Sequence, residues 1–286
     1  MATNKQTTAL VLEGGGMRGI YTAGVLDCFT DYNVHFSYVI GTSAGATTGI
    51  NYLSRQKGRS HFCDTDLIRL HNYIGLMPMV GGHGVIDMDF LFETFPNEYY
   101  PFDFETYCQS GSRMIMVTSN ALTGKAEYIE EYANYKRFVD AARASCSLPI
   151  MCPMGNVDGI PMVDGGVTDS IPFAHALSDG CTKAVVVMTK EVGYRKEAGD
   201  IYLPPMAYRK YPELREALRT RNDAYNAQLD ALTQAEQSGQ AYVIRPTHNC
   251  GVGRTTSDIS KLEQLYDLGY NMALQQLNNI NQFIGN

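Results

Sequence analysis

No run of apolar residues in this 286-residue chain is long enough to cross a bilayer; the longest are as short as AVVVM at 184–188. The first eight residues, MATNKQTT, hold no apolar segment, so no secretory leader is expected. Positive charge is also scarce. Lys and Arg number 23 against 30 Asp and Glu, a net charge of −7, which argues against a nucleic-acid partner and against simple electrostatic docking on an anionic membrane. The seven cysteines (28, 63, 108, 146, 152, 181 and 250) are odd in number, scattered and without a CxxC pair. They read as reduced thiols of a cytoplasmic protein rather than a disulfide framework. No repeat or low-complexity segment interrupts the chain.

What is present points to a large buried core: 44% of residues are hydrophobic and 19% charged. The length suits one α/β domain with insertions. Strand-like runs lie at 8–12, 36–40, 113–118, 183–189 and 241–245, with helix-length stretches at 19–30, 44–54 and 136–144 between them. That alternation predicts a mostly parallel central sheet with helices on both faces. Asp158-Gly159 inside GNVDGIPMVD predicts a type I′ hairpin over 155–164. Two long helices are expected at 213–237 and 258–283, the second capped by Ser257 or Asp258. The polar face of the second is mainly Gln and Asn, so it is expected to pack on the sheet rather than lie on a membrane. The expected organisation is a single domain over 1–286. It has a core over about 8–190, an insertion with an apolar lining over about 55–110, and a helical C-terminal extension over about 200–286 that adds one strand.

Residues 14–19, GGGMRG, fit G-x-G-x-x-G after a strand. A dinucleotide site also needs an acid at the end of the second strand. Here that strand, FSYVI, runs into GTSAG, and Ser43 stands at the expected place. A nucleotide- or phosphate-binding module using the 14–19 loop is therefore the weaker alternative. Gly41, Thr42, Ser43, Ala44 and Gly45 form G-x-S-x-G between a strand and a helix, the pattern of a nucleophile elbow. In parallel neighbouring strands the 14–19 turn falls beside this elbow. The amides of Gly15 and Gly16 are then candidates for an oxyanion hole, the alternative being a tight turn without a ligand. Arg18 adds positive potential there or ties the loop down; the residues do not choose.

A serine nucleophile needs a base. None of the six histidines has a triad context, although His175 and His248 follow in Ser…Asp…His order. Asp164 in MVDGGV ends the hairpin strand, and Gly165 and Gly166 let the chain turn so that its carboxylate faces inward; DGG reads equally as a surface turn. Methionines 77, 79, 88, 151, 154 and 162 are candidates for lining a flexible acyl pocket or for ordinary core packing.

EGGGMRG at 13–19, GTSAG at 41–45 and DGG at 164–166, in this order, resemble the three blocks of patatin-like phospholipases. ARASCSLPIMCP at 142–153 fits the same pattern, and the likeness extends over about 8–190. The remainder resembles the C-terminal extension of a bacterial branch. The resemblance implies a patatin-like, α/β-hydrolase-related three-layer fold and a Ser–Asp dyad without a catalytic histidine. Ser43 would be the nucleophile and Asp164 the proton acceptor. The loop Gly14, Gly15, Gly16, Met17, Arg18, Gly19 would be the oxyanion hole. It also implies ester bonds of phospholipids or lysophospholipids as substrate, with no metal or organic cofactor and transient membrane or micelle contact. Glu13 departs from the Asp the family often carries, which touches no catalytic role. A catalytically silent protein of the same fold is the remaining alternative.

Overall fold

The computed structural model describes residues 7–71, 73–75, 78 and 84–285. Eight strands form one sheet: β1 (Thr8–Leu12), β2 (Tyr38–Thr42), β3 (Arg113–Asn120), β4 (Ala126–Ile129), β5 (Gly155–Val157), β6 (Ile160–Asp164), β7 (Lys183–Val187) and β8 (Ala241–Ile244). Their order is β5-β6-β3-β2-β1-β7-β8, with β4 also paired to β3. The β3-β2-β1-β7-β8 pairs are parallel, whereas β4, β5 and β6 join antiparallel. Asp158 and Gly159 both have positive φ between β5 and β6, as a type I′ turn requires.

The helices are α1 (Gly19–Asp31), α2 (Ala44–Leu53), α3 (Arg59–Asp64), α4 (Asp66–Leu70), α5 (Phe104–Cys108), α6 (Tyr135–Ser145), α7 (Phe173–Ser178), α8 (Pro212–Gln237) and α9 (Ile259–Ile284), with a π-helix over Phe90–Tyr99. Strand β1 is buried on both sides, as a central parallel strand must be. Leu10 and Leu12 pack with Ile20 and Val25 of α1, and Ala9 and Val11 with Phe173 of α7 and Tyr225 of α8. The structure is thus an α/β sheet covered by helices on both faces.

Helix α9 departs from expectation. Asp258 caps it by accepting from the Lys261 amide, but it lies mainly over α1 and meets the sheet chiefly at β8. The Tyr266 and Tyr270 hydroxyls donate to Asp27 and Asp31 of α1, each at 2.8 Å. The Gln and Asn residues of its polar face, such as Gln264, Asn271, Gln275 and Asn278, stay exposed. Strand β4 carries no strong sequence signal, being a half-buried four-residue segment that pairs only with β3. No helix among the described residues is long and apolar enough to cross a membrane, and all seven cysteines are free thiols.

Candidate active site

Strand β2 pairs with β3 up to Thr42 opposite Val117, and β6 takes over one residue later, with Asp164 opposite Thr118. The residue that follows Thr42 therefore arrives beside Asp164. Ser43 occupies a strained backbone conformation, φ 56° and ψ −126°, immediately before α2. The turn closes so tightly that a Cβ on Gly41 would lie 2.6 Å from the Gly45 carbonyl carbon, and one on Gly45 would lie 2.5 Å from the Leu12 oxygen. Thr42 donates its hydroxyl to the Asp169 carbonyl, and Ala44 begins α2.

The Ser43 hydroxyl donates to Asp164 Oδ2 at 2.6 Å. The other carboxylate oxygen, Oδ1, accepts the Gly166 amide at 2.7 Å. A Cβ on Gly165 would strike the Val117 oxygen at 2.3 Å, so the DGG turn folds back under the end of β3. It is not a surface turn: Asp164 is 3% exposed and Ser43 5%. Burial pushes the Asp164 carboxyl above its usual range, opposed by the Ser43 and Gly166 hydrogen bonds and by the charges of Arg221 and Arg254. Sequence reasoning missed Ser145 at the end of α6. Its Oγ accepts the Ser43 amide at 2.9 Å and donates to the Val117 carbonyl at 2.7 Å, so it braces the elbow against β3.

In the 14–19 loop four of the six amides are already engaged. Gly14 donates to the Ser170 carbonyl, Met17 to Arg254, Arg18 to Gly15, and Gly19 back into the turn. The amides of Gly15 and Gly16 have no acceptor among the described residues, and both glycines border the space at Ser43. The Arg18 guanidinium donates to the Val252 carbonyl at 3.0 Å and so ties the loop to the C-terminal segment. Glu13 is fully enclosed, one oxygen accepting from Tyr225 and the other from the Thr189 amide and hydroxyl.

Two cavities meet at Ser43. One, of about 170 Å³, is apolar and is lined by Ile50, Leu91, Phe92, Phe95, Phe102 and Phe138 among others. Much of its wall comes from the 55–110 insertion. Of the candidate methionines only Met88 borders it among the described residues. Met151 packs beside Met88, Met154 lies in a separate core cluster and Met162 is buried against β3. Met77 and Met79 lie outside the described residues. Asp64 borders the same cavity, and burial pushes its carboxyl up to about 7. The second cavity, of about 40 Å³, is bordered by the charged groups Glu13, Asp164, Lys190, Lys196, Arg221 and Arg254 and by Tyr225. No histidine borders either cavity among the described residues. His175 stacks on Tyr128, His248 sits beside Thr247, and His83 lies outside the described residues. No three His, Cys, Asp or Glu side chains gather as a metal site would need, among the described residues.

A parallel-centred α/β sheet, with a serine on a strained strand-to-helix turn hydrogen-bonded to a buried aspartate, defines the class of fold and site. The family model of patatin-like phospholipases matches residues 10–177, and the chain belongs to that family. A second model, of a domain of unknown function (DUF6363), matches residues 211–285. The uncharacterised protein YjjU of Escherichia coli is 31% identical over 63% of this chain and 51% of its own. Lysophospholipase NTE1 of Saccharomyces cerevisiae is 25% identical over 92% of this chain and 16% of its own. Human patatin-like phospholipase domain-containing protein 6 is 26% identical over 92% and 20%. The chain thus spans about half of the bacterial relative and a fifth or less of the other two. Among solved structures, VipD from Legionella pneumophila shares the fold, with a TM-score of 0.54 at 13% identity, over 96% of this chain and 67% of that one.

Proposed function

We propose that this protein is a serine acyl hydrolase that cleaves carboxylic esters of lysophospholipids, phospholipids or related lipids. One observation carries the reading: the Ser43 hydroxyl, already donating to a desolvated carboxylate at 2.6 Å, stands at the mouth of an apolar cavity. The acyl chain enters that cavity and its carbonyl carbon rests at Ser43. Asp164 Oδ2 takes the hydroxyl proton as Oγ attacks, and the carbonyl oxygen becomes an oxyanion held by the Gly15 and Gly16 amides. Collapse expels the alcohol, which takes the proton back from Asp164, and leaves an acyl-serine. Water then repeats the sequence with Asp164 again as base, releasing the fatty acid.

Tethering by Gly166 supports the assignment of Asp164, because it leaves Oδ2 as the oxygen that faces the hydroxyl. Residues 1–286 act as one unit in this reading, since Arg254 of the C-terminal segment borders both cavities. The chemistry calls for no metal or organic cofactor, and lipid is met in the cytoplasm by transient contact with a membrane or micelle. The test is fatty-acid release from a panel of phospholipids, lysophospholipids and glycerides. Turnover of at least one ester, lost in Ser43→Ala, is expected; release from none refutes the reading.

A further inference from the structure

Four cations border the smaller cavity beside Ser43, and all four lie beyond the segment matched by the patatin model. Lys190 follows β7 and Lys196 stands in the loop after it; Arg221 belongs to α8, and Arg254 to the loop before α9. Their charges are answered only in part, because four cations face two carboxylates, Glu13 and Asp164, in the same lining. Lys190 approaches Glu13 at 3.8 Å, but both oxygens of Glu13 are already taken by Tyr225 and Thr189. Arg221 and Arg254 act on Asp164 by charge, without a salt bridge among the described residues. The Arg221 Nη2 donates to the Gly166 carbonyl at 3.1 Å, and its Nε is buried with no partner. The Lys196 ammonium lies 4.0 Å from the centre of the Tyr225 ring and makes no hydrogen bond among the described residues. The cations also crowd one another. Desolvation, followed by the charges of Arg221 and Arg254, lowers Lys196 to about 7, and Arg221 is lowered by burial and by Arg254.

Lys190 is buried and Lys196 and Arg221 are half-buried, whereas Arg254 is exposed at the rim. Enclosed cations in excess of the carboxylates around them are costly without an anion to receive their donors. The cavity, of about 40 Å³, has room for about three waters or one tetrahedral oxyanion group. It opens on the side of Ser43 that faces Asp164, whereas the acyl cavity lies on the other. In the hydrolase reading, on which this inference rests, the alcohol half of the ester leaves on that side.

We propose that Lys190, Lys196, Arg221 and Arg254 form a phosphate subsite for the head group of the ester, so that the preferred substrate is an acyl glycerophosphate rather than a neutral glyceride. The C-terminal segment then selects the substrate, and the patatin core performs the cleavage.

The test compares hexanoyl lysophosphatidate with hexanoyl monoglyceride, below their micellar concentrations, in the wild type, Arg221→Gln and Lys196→Gln. Circular dichroism and melting identify any variant that fails to fold. Lys196→Gln is the safeguard, since that ammonium holds no backbone group. The ratio of kcat/KM values for the two esters is expected to favour the phosphate ester by about 10–100-fold and to collapse towards one in a folded variant. In Ser43→Ala, sn-glycerol 3-phosphate is expected to bind calorimetrically and glycerol not to bind. Equal cleavage of both esters overturns the subsite and leaves the hydrolase standing; cleavage of neither overturns the hydrolase itself. Binding of inorganic phosphate with a ratio that neither variant moves assigns the cavity to a free anion and overturns the head-group proposal.

Discussion

Replacing Ser145 by alanine removes one oxygen atom from the interior and leaves the backbone free to stay where it is. That oxygen is the acceptor of the Ser43 amide and the donor to the Val117 carbonyl, in a place where Ser145 is fully buried and Ser43 is 5% exposed. Ser145 is fully buried and borders neither cavity at Ser43, so its loss leaves the amide with the desolvation cost of an unmet donor, about 1–3 kcal/mol. Strain at Ser43 gives the elbow a reason to relax once the brace is gone, because a residue at φ 56° persists only where its surroundings hold it there. A shift of the hydroxyl by about 1 Å relative to Asp164 costs about 100-fold in rate. The expected signature of Ser145→Ala is therefore a midpoint in urea lowered by the equivalent of about 1–3 kcal/mol, with kcat down by about 10–100-fold and KM nearly unchanged. The assay is ester turnover on the best substrate from the panel, beside equilibrium unfolding. A variant with wild-type kcat and an unchanged midpoint refutes the bracing role.

Two further outcomes follow from carboxyls that desolvation raises, buried Asp164 and half-buried Asp64. Asp164 must be ionised to accept the Ser43 proton, and burial raises it, so kcat/KM is expected to fall with decreasing pH through a value above the ordinary 3.8; a profile flat down to pH 4 contradicts the assignment. Asp64 behaves differently because it affects stability. Its folded carboxyl titrates near 7 against 3.8 unfolded, so the folded chain binds the extra proton and stability falls as pH rises from about 4 to 7. Asp64→Asn removes that penalty. The gain in melting temperature is expected to be absent near pH 4 and to level off above pH 7, with a ceiling of about 4 kcal/mol; a gain independent of pH contradicts it.

Much of the fold was legible because its signals are local. The apolar runs of β1, β2, β3, β7 and β8, the Asp158-Gly159 turn and the cap at Asp258 each rest on neighbouring residues. The pairing of Ser43 with Asp164 is not local. It follows from the handover between β2 and β6 along β3, which no stretch of sequence displays; Asp164 was a candidate from its place at the end of the hairpin strand, and the order of the three glycine-containing blocks added to that through resemblance. Ser145 was invisible because a serine near the end of a helix has many ordinary uses. Arg221 did carry a signal. It lies on the stripe of α8 that also holds Leu214, Leu218 and Tyr225, and a charge on an otherwise buried face calls for a partner. Of the two readings offered for the methionines, core packing holds for Met151, Met154 and Met162 and cavity lining for Met88, while α9, expected on the sheet, lies mainly over α1.

Covalent labelling reaches the central claim most directly. A fluorophosphonate probe with intact-mass and peptide analysis is expected to place one adduct on Ser43 in the wild type and none in Ser43→Ala. In Asp164→Asn the labelling is expected to slow by about 100-fold or more, with the melting temperature retained. An unlabelled wild type, or an Asp164→Asn variant labelled as fast as the wild type, contradicts the account.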